Sequence, residues 1–163
     1  RIVYNNLIHN GIGNYPDDRL KKLKLEILEQ KKNGSYIILS EPSNAMKKVY
    51  NVPNWTEDTT KLLKRYTDRK IILHNKFSKD PLKILLKNAW AFVSLQSTAG
   101  FMAMLNGIPS YFTDASLENI SKIKDIEDPI IDYNIFNSLA YGQWTLKEIE
   151  SGEAWENISK NKY

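Results

Sequence analysis

The sequence predicts an α/β fold with a mostly parallel, right-handed sheet, and three observations lead to this prediction. Four short, mostly apolar runs, at residues 36–39, 71–73, 90–95 and 108–112, have the character of strands that are covered on both faces, and the first of them is uninterrupted. Segments with helical periodicity separate these runs, and the connections are short. Because each helix returns the chain to the same end of the sheet, successive strands are expected to run in parallel. The pattern changes to helices alone after residue 113.

Helix caps and turn residues set the boundaries of the elements in the first half of the chain. Asp17 or Asp18 can cap a helix with a leucine-rich and isoleucine-rich side, and an Asn-Gly pair ends it. Turn residues around Pro42 end the first strand. In order, the predicted elements are a helix over 18–32, the strand 36–39, a short helix over 45–50, a helix over 56–67 with Leu62, Leu63 and Tyr66 facing inward, and the strand 71–73.

Similar signals set the boundaries in the second half. Asp80 can cap a helix that has Pro81 at its favoured first position. Asp132 can cap a later helix, and Thr145 and Glu148 have the spacing of a capping box. In order, the predicted elements are a helix over 80–87, the strand 90–95, a helix over 98–106, the strand 108–112, a helix over 132–141 and a last helix from 145.

Length and composition are those of one ordinary globular domain, with 163 residues, 42% of them hydrophobic and 26% charged. We expect a single domain over residues 1–163, with an α/β core at about 36–112 and a helical tail at about 130–163 that packs back on it. The expected packing residues of the tail are Tyr141, Trp144 and Trp155. No run of 18 apolar residues occurs, so we expect no membrane span.

The composition also excludes several kinds of chemistry. The sequence has no cysteine, which excludes disulfides, thiol nucleophiles and cysteine-zinc sites. His9 and His74 are its only histidines, too few for a histidine-based metal site. The net charge is +4, and one group of lysines follows a helical pattern. That group forms either a solvated helix face or a surface for nucleic acid, and it consists of Lys21, Lys22, Lys24, Lys31 and Lys32.

Ligands of open parallel sheets bind beyond the carboxyl ends of the strands. The most informative loop there contains Gln96, Ser97, Thr98, Ala99 and Gly100. Free N–H groups at a helix start and the positive end of its dipole favour an anion, and small residues let a phosphate approach. Alternatively, Ser or Thr only caps the helix and Gly100 lets it pack closely on the sheet. The fingerprints of dinucleotide-binding and P-loop proteins are absent from the sequence.

The other loops at this edge carry further candidate residues. His74 and Lys76 follow the second strand as a cationic pair for the same ligand, although a histidine at a strand end also serves as a structural hydrogen-bonding residue. Glu41 and Ser43 follow the first strand, where they either contact a sugar or ribose hydroxyl or belong to the turn around Pro42. No catalytic residue can be assigned, because no spacing singles out one of the nearby carboxylates, Asp114, Glu118, Asp125, Glu127 and Asp128.

The segment STAGFMAMLNGIP at residues 97–109, placed between two strands, resembles the donor-binding half of GT-B glycosyltransferases. The resemblance is strongest to the capsule-polysaccharide type, which has a serine-rich loop and a helix of pattern G-x-E-A-L-x-x-G-x-P. It covers about residues 71–112, and the tail at 139–155 resembles the end of phage-type proteins with this domain. It implies a Rossmann-like parallel sheet with flanking helices and a helical C-terminal tail.

The resemblance also implies a function and a place of action. Ser97, Thr98 and Gly100 match the loop that holds the diphosphate of a nucleotide-sugar donor, while Met102 stands where the family has a glutamate. The expected donor substrate is a nucleotide-diphosphate sugar, with no cofactor and no required metal. The acceptor is a glycan or a modified nucleic-acid base, in the cytoplasm of a bacterium or phage-infected cell. The acceptor half lies outside this chain, or the chain works as a homo-oligomer, or it is a non-catalytic structural or virion-associated module.

Overall fold

A computed structural model describes residues 13–117, 120 and 122–160 of the chain. Its contacts divide the chain into two compact units. The sheet unit contains Ile27–Ile131, and the helical unit combines the segments before and after it. The expectation of one domain whose tail packs back on the α/β core stays a prediction. Among the described residues, no helix is long and apolar enough to cross a membrane.

The predicted fold class is confirmed, since the protein is an α/β structure with an all-parallel, Rossmann-like sheet and flanking helices. Short 3₁₀ turns at Leu86–Asn88, Ala115–Leu117 and Ile123–Asp125 connect some of the elements. In chain order the helices and strands are α1 (Asp18–Leu23), β1 (Tyr36–Ser40), α2 (Asn44–Val49), α3 (Trp55–Leu63), β2 (Lys70–His74), α4 (Leu82–Leu85), β3 (Ala89–Ser94), α5 (Thr98–Leu105), β4 (Ser110–Phe112), α6 (Ile135–Ala140), α7 (Leu146–Glu150) and α8 (Glu153–Lys160).

The four strands are ordered β2-β1-β3-β4 in the sheet. Ser40 at the end of β1 is in register with His74 of β2 on one side and with Ser94 of β3 on the other. The chain leaves β1 toward β2 but leaves β3 toward β4, so the two connections depart in opposite directions. Such a reversal opens a crevice between the carboxyl ends of the two strands, which is where open α/β sheets bind ligands. The strand order therefore points to the space between β1 and β3.

Apolar side chains cover the two faces of the sheet separately. On one face, Ile37 and Leu39 of β1 pack with Trp55 and Leu63 of α3. On the other face, a second cluster brings Ile38 and Phe92 together with Ala103 of α5, and it also includes Ile108 and Leu86. Because successive residues of a strand point to opposite faces, an unbroken apolar run in β1 and β3 supplies both clusters. This confirms the two-sided coverage predicted for these two strands.

The predicted helix over residues 18–32 is too long. It ends at Leu23, because Lys24 adopts a left-handed backbone conformation with φ of 50°. The following segment lies against the end of α5 instead, where the Leu28 N–H donates to the Leu105 carbonyl at 2.9 Å and the Lys31 N–H donates to the Gly107 carbonyl at 2.8 Å. Contacts from a distant element thus override a locally helical pattern, and the predicted five-lysine helix face is wrong.

Three predictions on the edge of the sheet unit are also wrong. β2 is an edge strand, and Leu73 is 48% exposed, so this strand is not covered on both faces. Tyr66 lies beyond the end of α3 and is exposed instead of facing inward. Pro81 occupies the N-cap position of α4 without a side-chain cap, so Asp80 does not cap this helix.

A glycine and a glutamine fix the segment before β1 within the sheet unit. Gly107, just after α5, has φ of +75°, and a Cβ atom there would lie 2.2 Å from the Glu29 carbonyl oxygen. Only glycine fits such a close approach in this conformation. The Gln30 side chain donates to the Pro129 carbonyl at 2.6 Å and accepts from the Ile131 N–H at 2.8 Å. Both contacts tie this segment to residues far along the chain.

The helical unit is built around a buried ion pair. The Arg19 guanidinium is buried, donates to Glu148 Oε1 at 3.1 Å and lies 3.8 Å from the centre of the Trp144 ring. Lys22 also pairs with the Glu148 carboxylate. The pKa of Glu148 is held well below its usual range, chiefly by the hydrogen bond from Arg19 and then by that from Lys22.

The predicted capping box is confirmed, and two of the three expected packing residues of the tail are buried, while their packing on the sheet stays a prediction. Thr145 accepts from the Glu148 N–H, and the Glu148 carboxylate accepts from the Thr145 N–H. Tyr141 and Trp144 are buried, but Trp155 is 66% exposed, so its prediction as a buried packing residue is wrong. α6 begins at Ile135, later than predicted.

Candidate functional site

A small cleft lies between the carboxyl ends of β1 and β3, where the strand order predicts a ligand site. Its volume is about 170 Å³. Most of its lining residues belong to the ends of these two strands and the loops that follow them; the lining comprises Ser40, Glu41, Pro42, Ser43, Met46, Ser94, Leu95, Gln96 and Ser97. The structure thus brings Glu41 and Ser43 of the first loop together with Gln96 and Ser97 of the third, whereas Thr98, Ala99 and Gly100 are not among the lining residues.

Helix α5 starts at the edge of this cleft. Ser97 is its N-cap residue, with an extended backbone and a hydroxyl that accepts from the Ala99 N–H at 3.2 Å. The Gly100 N–H donates to the Ser97 carbonyl at 3.0 Å, and Thr98 is exposed as the first helical residue. The amides of a first helical turn and the helix dipole make such a place favourable for an anion. The cap thus occupies the Ala99 and Gly100 N–H groups, while the Ser97 hydroxyl, which acts as an acceptor in the cap, keeps its hydrogen for donation to a ligand.

Gly100 lets the helix approach the sheet closely, as the sequence suggested. A Cβ atom at this position would lie 2.6 Å from Cε1 of Phe112 in β4. The Gly100 carbonyl accepts a hydrogen bond from the Ser110 hydroxyl at 2.7 Å. Phe112 also stacks on Phe101 of α5, with ring centres 4.8 Å apart. The glycine is thus explained by packing, and its small size also keeps the helix start open.

Ser94 is a site residue that the sequence analysis did not single out. Its side chain is 1% exposed, and its hydroxyl has no hydrogen-bond partner among the described residues. It lines the cleft, and its Oγ lies 3.6 Å from the position of a Cβ atom on Gly100. A buried hydroxyl without a partner costs free energy, so this group calls for an explanation, such as a bound water or ligand. The sequence signal that could have identified Ser94 is its place as a polar residue at the end of an apolar strand.

Gln96 connects three elements around the cleft. Its Oε1 accepts from the Tyr50 hydroxyl at 2.6 Å, and its Nε2 donates to Asp114 Oδ1 at 3.2 Å. Burial, followed by the nearby charge of Asp114, raises the pKa of Tyr50. Tyr50 therefore remains a hydrogen-bond donor at neutral pH and holds the Gln96 side chain in place. Gln96 therefore both lines the cleft and links Tyr50 to Asp114.

Glu41 is held in a network at the rim of the cleft. Its Oε1 accepts from Lys47 Nζ at 2.8 Å and from the Thr56 hydroxyl at 3.1 Å, and its Oε2 accepts from Asn75 Nδ2 at 3.2 Å. The hydrogen bond from Lys47 is the main cause that lowers the pKa of Glu41, followed by the bond from Asn75. Ser43 caps α2, because its hydroxyl accepts from the Met46 N–H at 3.3 Å. Both residues thus shape the β1 loop, and their role as sugar or ribose contacts stays a prediction.

His74 and Lys76 do not line the cleft. His74 ends β2, and β1 separates this strand from β3, so the two loops are about 10 Å apart at a spacing of about 4.8 Å per strand. Lys76 is exposed, and its ammonium lies 4.7 Å from the centre of the Phe77 ring. The structure therefore places the cationic pair beyond the β1 loop. Its role as a phosphate contact stays a prediction.

The candidate carboxylates also lie outside the cleft. Asp114 is not a lining residue but adjoins the cleft, since its carboxylate accepts from Gln96 and its N–H donates to the Leu95 carbonyl at 3.1 Å, and Glu127 pairs with Arg69 at 3.0 Å. Glu118 lies outside the described residues. In the part of the chain that the structure describes, no group of three or more histidine and acidic side chains has the arrangement of a metal site.

We compared the chain with family models, with curated proteins and with solved structures, and none of them matches. Chemically, the cleft offers hydroxyl groups and a helix start, with one carboxylate at the rim. Met102, at the position of the expected glutamate, is 53% exposed on α5. The arrangement offers hydrogen-bonding groups to a small polar ligand.

Proposed function

We propose that this chain is a nucleotide-sugar-dependent glycosyltransferase, or the donor-binding domain of one, that holds the donor diphosphate at the start of α5. One observation supports this proposal most. Ser94 lines the cleft between β1 and β3 beside the start of the helix, and its buried hydroxyl has no partner among the described residues. A phosphate oxygen would satisfy it.

The electrostatics of the cleft agree with a phosphate ligand. The positive end of the α5 dipole attracts negative charge, and the hydroxyl groups of the cleft can donate to phosphate oxygens. Such preorganised donors stabilise the charge that develops on a leaving diphosphate, without a required metal ion. The Glu41 carboxylate at the rim is engaged by Lys47, Thr56 and Asn75, which limits its repulsion of an anion.

The size of the cleft determines which part of the donor it takes. Pockets for whole ligands have volumes of roughly 300–1,000 Å³. At about 170 Å³, this cleft accommodates phosphate groups rather than a complete nucleotide sugar. The nucleoside and the sugar would therefore lie over the surrounding loops.

Calorimetric titration of the folded full-length chain with UDP, GDP and CMP sugars tests the proposal. Ser97→Asp retains a good N-cap but adds a negative charge at the helix start, whereas Ser97→Asn retains the cap without the charge. We expect at least one donor to bind the wild type and Ser97→Asn, and we expect Ser97→Asp to weaken that binding at least tenfold. Absence of binding to all donors would overturn the proposal.

A second candidate, a non-catalytic structural or virion-associated module with this fold, is favoured by Met102. An exposed thioether cannot supply the charge of the family's glutamate. Donor hydrolysis and transfer to glycans, measured for the wild type and for Met102→Glu, separate the two candidates. Turnover by the wild type favours the enzyme, whereas turnover that appears only in Met102→Glu favours the module.

A further inference from the structure

The outer edge of β2 presents backbone groups that the sheet does not use. The Glu41 N–H donates to the His74 carbonyl at 2.9 Å, so the backbone of His74 faces β1. Backbone groups alternate between the two sides of a strand, so those of Ile72 and Lys70 also face β1, while those of Ile71 and Leu73 face outward. In the described part of the chain, β2 pairs with β1 only. Two N–H groups and two carbonyls are therefore available at this edge.

A groove of about 580 Å³ runs beside this edge. Its apolar lining consists of Leu39, Ile71 and Leu73, and Leu73 is about half exposed. Thr56, Thr60 and Lys64 form the opposite side, since a spacing of four residues places them in one row along α3. The five residues of β2 make the edge long enough for a short extended segment.

The charges around the groove select what can bind there. Lys64, Arg65 and Lys70 are exposed and form no ion pair with a described residue. Asp68 is the only unpaired carboxylate among the residues that line the groove and a neighbouring hollow, which is lined by residues 64–69 and Glu127. Arg69 is neutralised by Glu127. A second copy of this chain would bring two such basic edges together, and lysines at sheet edges disfavour that kind of pairing. An acidic strand would meet opposite charges.

We propose that the free edge of β2 binds an extended acidic peptide segment of another protein as a fifth strand of the sheet. The outward backbone groups of Ile71 and Leu73 form the ladder, as in other cases of strand addition. Apolar side chains of the peptide enter the groove, and its carboxylates meet Lys64, Arg65 and Lys70. This interaction is independent of the phosphate cleft, so either proposal can fail without the other.

Amide hydrogen exchange followed by NMR, on the full chain, tests this interaction. The probes are two heptapeptides, one alternating valine with glutamate and the other alternating valine with lysine. The acidic peptide is expected to slow exchange of the Ile71 and Leu73 amides at least tenfold, while the lysine peptide leaves exchange unchanged. No slowing with the acidic peptide, or equal slowing with both, would overturn the proposal. Slowing that grows with protein concentration alone would show that the occupant is a second copy, and would also overturn it.

Two sets of variants locate the interaction. Lys64→Glu with Lys70→Glu should weaken binding of the acidic peptide at least tenfold, while the matched pair Lys83→Glu with Lys87→Glu, away from the groove, should not. If both pairs of substitutions weakened peptide binding equally, the net charge of the chain would determine the affinity, and this result would contradict the proposal. Leu73→Pro removes one outward N–H, a position where an edge strand tolerates proline, and should also weaken binding. If Leu73→Pro does not fold, the charge variants decide alone.

Discussion

Ser40 and Ser94 end two adjacent parallel strands in register, and both line the cleft between β1 and β3. Ser40 is partly exposed, but Ser94 is buried with an unsatisfied hydroxyl. The pair marks the place where the chain leaves the sheet in opposite directions. Because only Ser94 has a buried, unsatisfied hydroxyl, substitution of Ser94 tests ligand binding in the cleft more directly than substitution of Ser40.

Ser94→Ala is expected to separate stability from binding. Removing a buried hydroxyl without a partner should raise the free energy of unfolding by up to about 1 kcal/mol, because the desolvation cost disappears. The same change should weaken binding of the donor diphosphate about five- to tenfold, through loss of one hydrogen bond. Urea denaturation and calorimetry measure the two effects.

Ser110→Ala is the matched control for Ser94→Ala. The Ser110 hydroxyl is also buried but donates to the Gly100 carbonyl at 2.7 Å. Its removal should lower the free energy of unfolding by about 1 kcal/mol. Equal destabilisation by both variants would contradict the view that the Ser94 hydroxyl has no partner.

Gly100→Ala should destabilise the sheet unit, although alanine favours a helix by about 1 kcal/mol over glycine. The new Cβ would lie 2.6 Å from the Phe112 ring, and overpacking of this kind costs about 1–3 kcal/mol. Adding Phe112→Leu should recover part of the loss. A double-mutant cycle measures this coupling, and additive effects of the two changes would show that the ring is not the cause.

Arg69→Lys should lower the free energy of unfolding by about 1–2 kcal/mol, because lysine cannot reproduce a planar, forked group. Arg69 donates to the Gly34 carbonyl at 2.8 Å and to Glu127, and it stacks 3.8 Å from the centre of the Trp90 ring. Chemical denaturation provides the measurement. The neighbouring Arg65→Lys is the control, with an expected change within about 0.5 kcal/mol, and similar losses in the two would refute the assignment.

Because of Glu148, the free energy of unfolding of the helical unit should depend on pH in the acidic range. Its pKa lies well below the ordinary value of 4.5 in the folded chain, so the unfolded chain takes up the proton first as pH falls. The carboxylate therefore contributes fully above about pH 4.5, and its contribution is lost progressively below it. Glu148→Gln should cost about 3 kcal/mol at pH 7, with a gap that narrows on acidification.

Urea unfolding at pH 7 and pH 3, followed by the indole NMR signal of Trp144 in the same unit, checks the Glu148 prediction. Glu156→Gln removes an exposed partner of Lys160 and should change little at either pH. A gap between the wild type and Glu148→Gln that stays constant with pH would rule out this linkage.

Local sequence predicted the strands better than it predicted the first helix. β3 was expected at residues 90–95 and lies at Ala89–Ser94, because an apolar run of this kind has few alternatives to a buried strand. The segment after Lys24 also reads as helical. Its partners, the carbonyls of Leu105 and Gly107, come from the end of α5, and no local pattern reveals them.

The site was partly predictable, because some of its residues depend on local sequence and others on contacts between distant elements. Ser97 and Gly100 follow from the local chemistry of a helix start, and both have the structural roles that the sequence suggested. The separation of His74 from the cleft follows from strand order, which depends on how the strands pair. The unsatisfied state of Ser94 depends on every neighbour of its hydroxyl, so only a structure could reveal it.

The two hydrogen bonds of Gln30 have a consequence for the order of folding. They join residues that are 99 and 101 positions apart, so they can form only after Ile131 has left the ribosome. Closing so long a loop is slow compared with the pairing of neighbouring elements. During synthesis, the backbone bonds of Leu28 and Lys31 to Leu105 and Gly107 can form earlier, and the two bonds of Gln30 complete the attachment of the segment before β1 only when the end of the sheet unit is available.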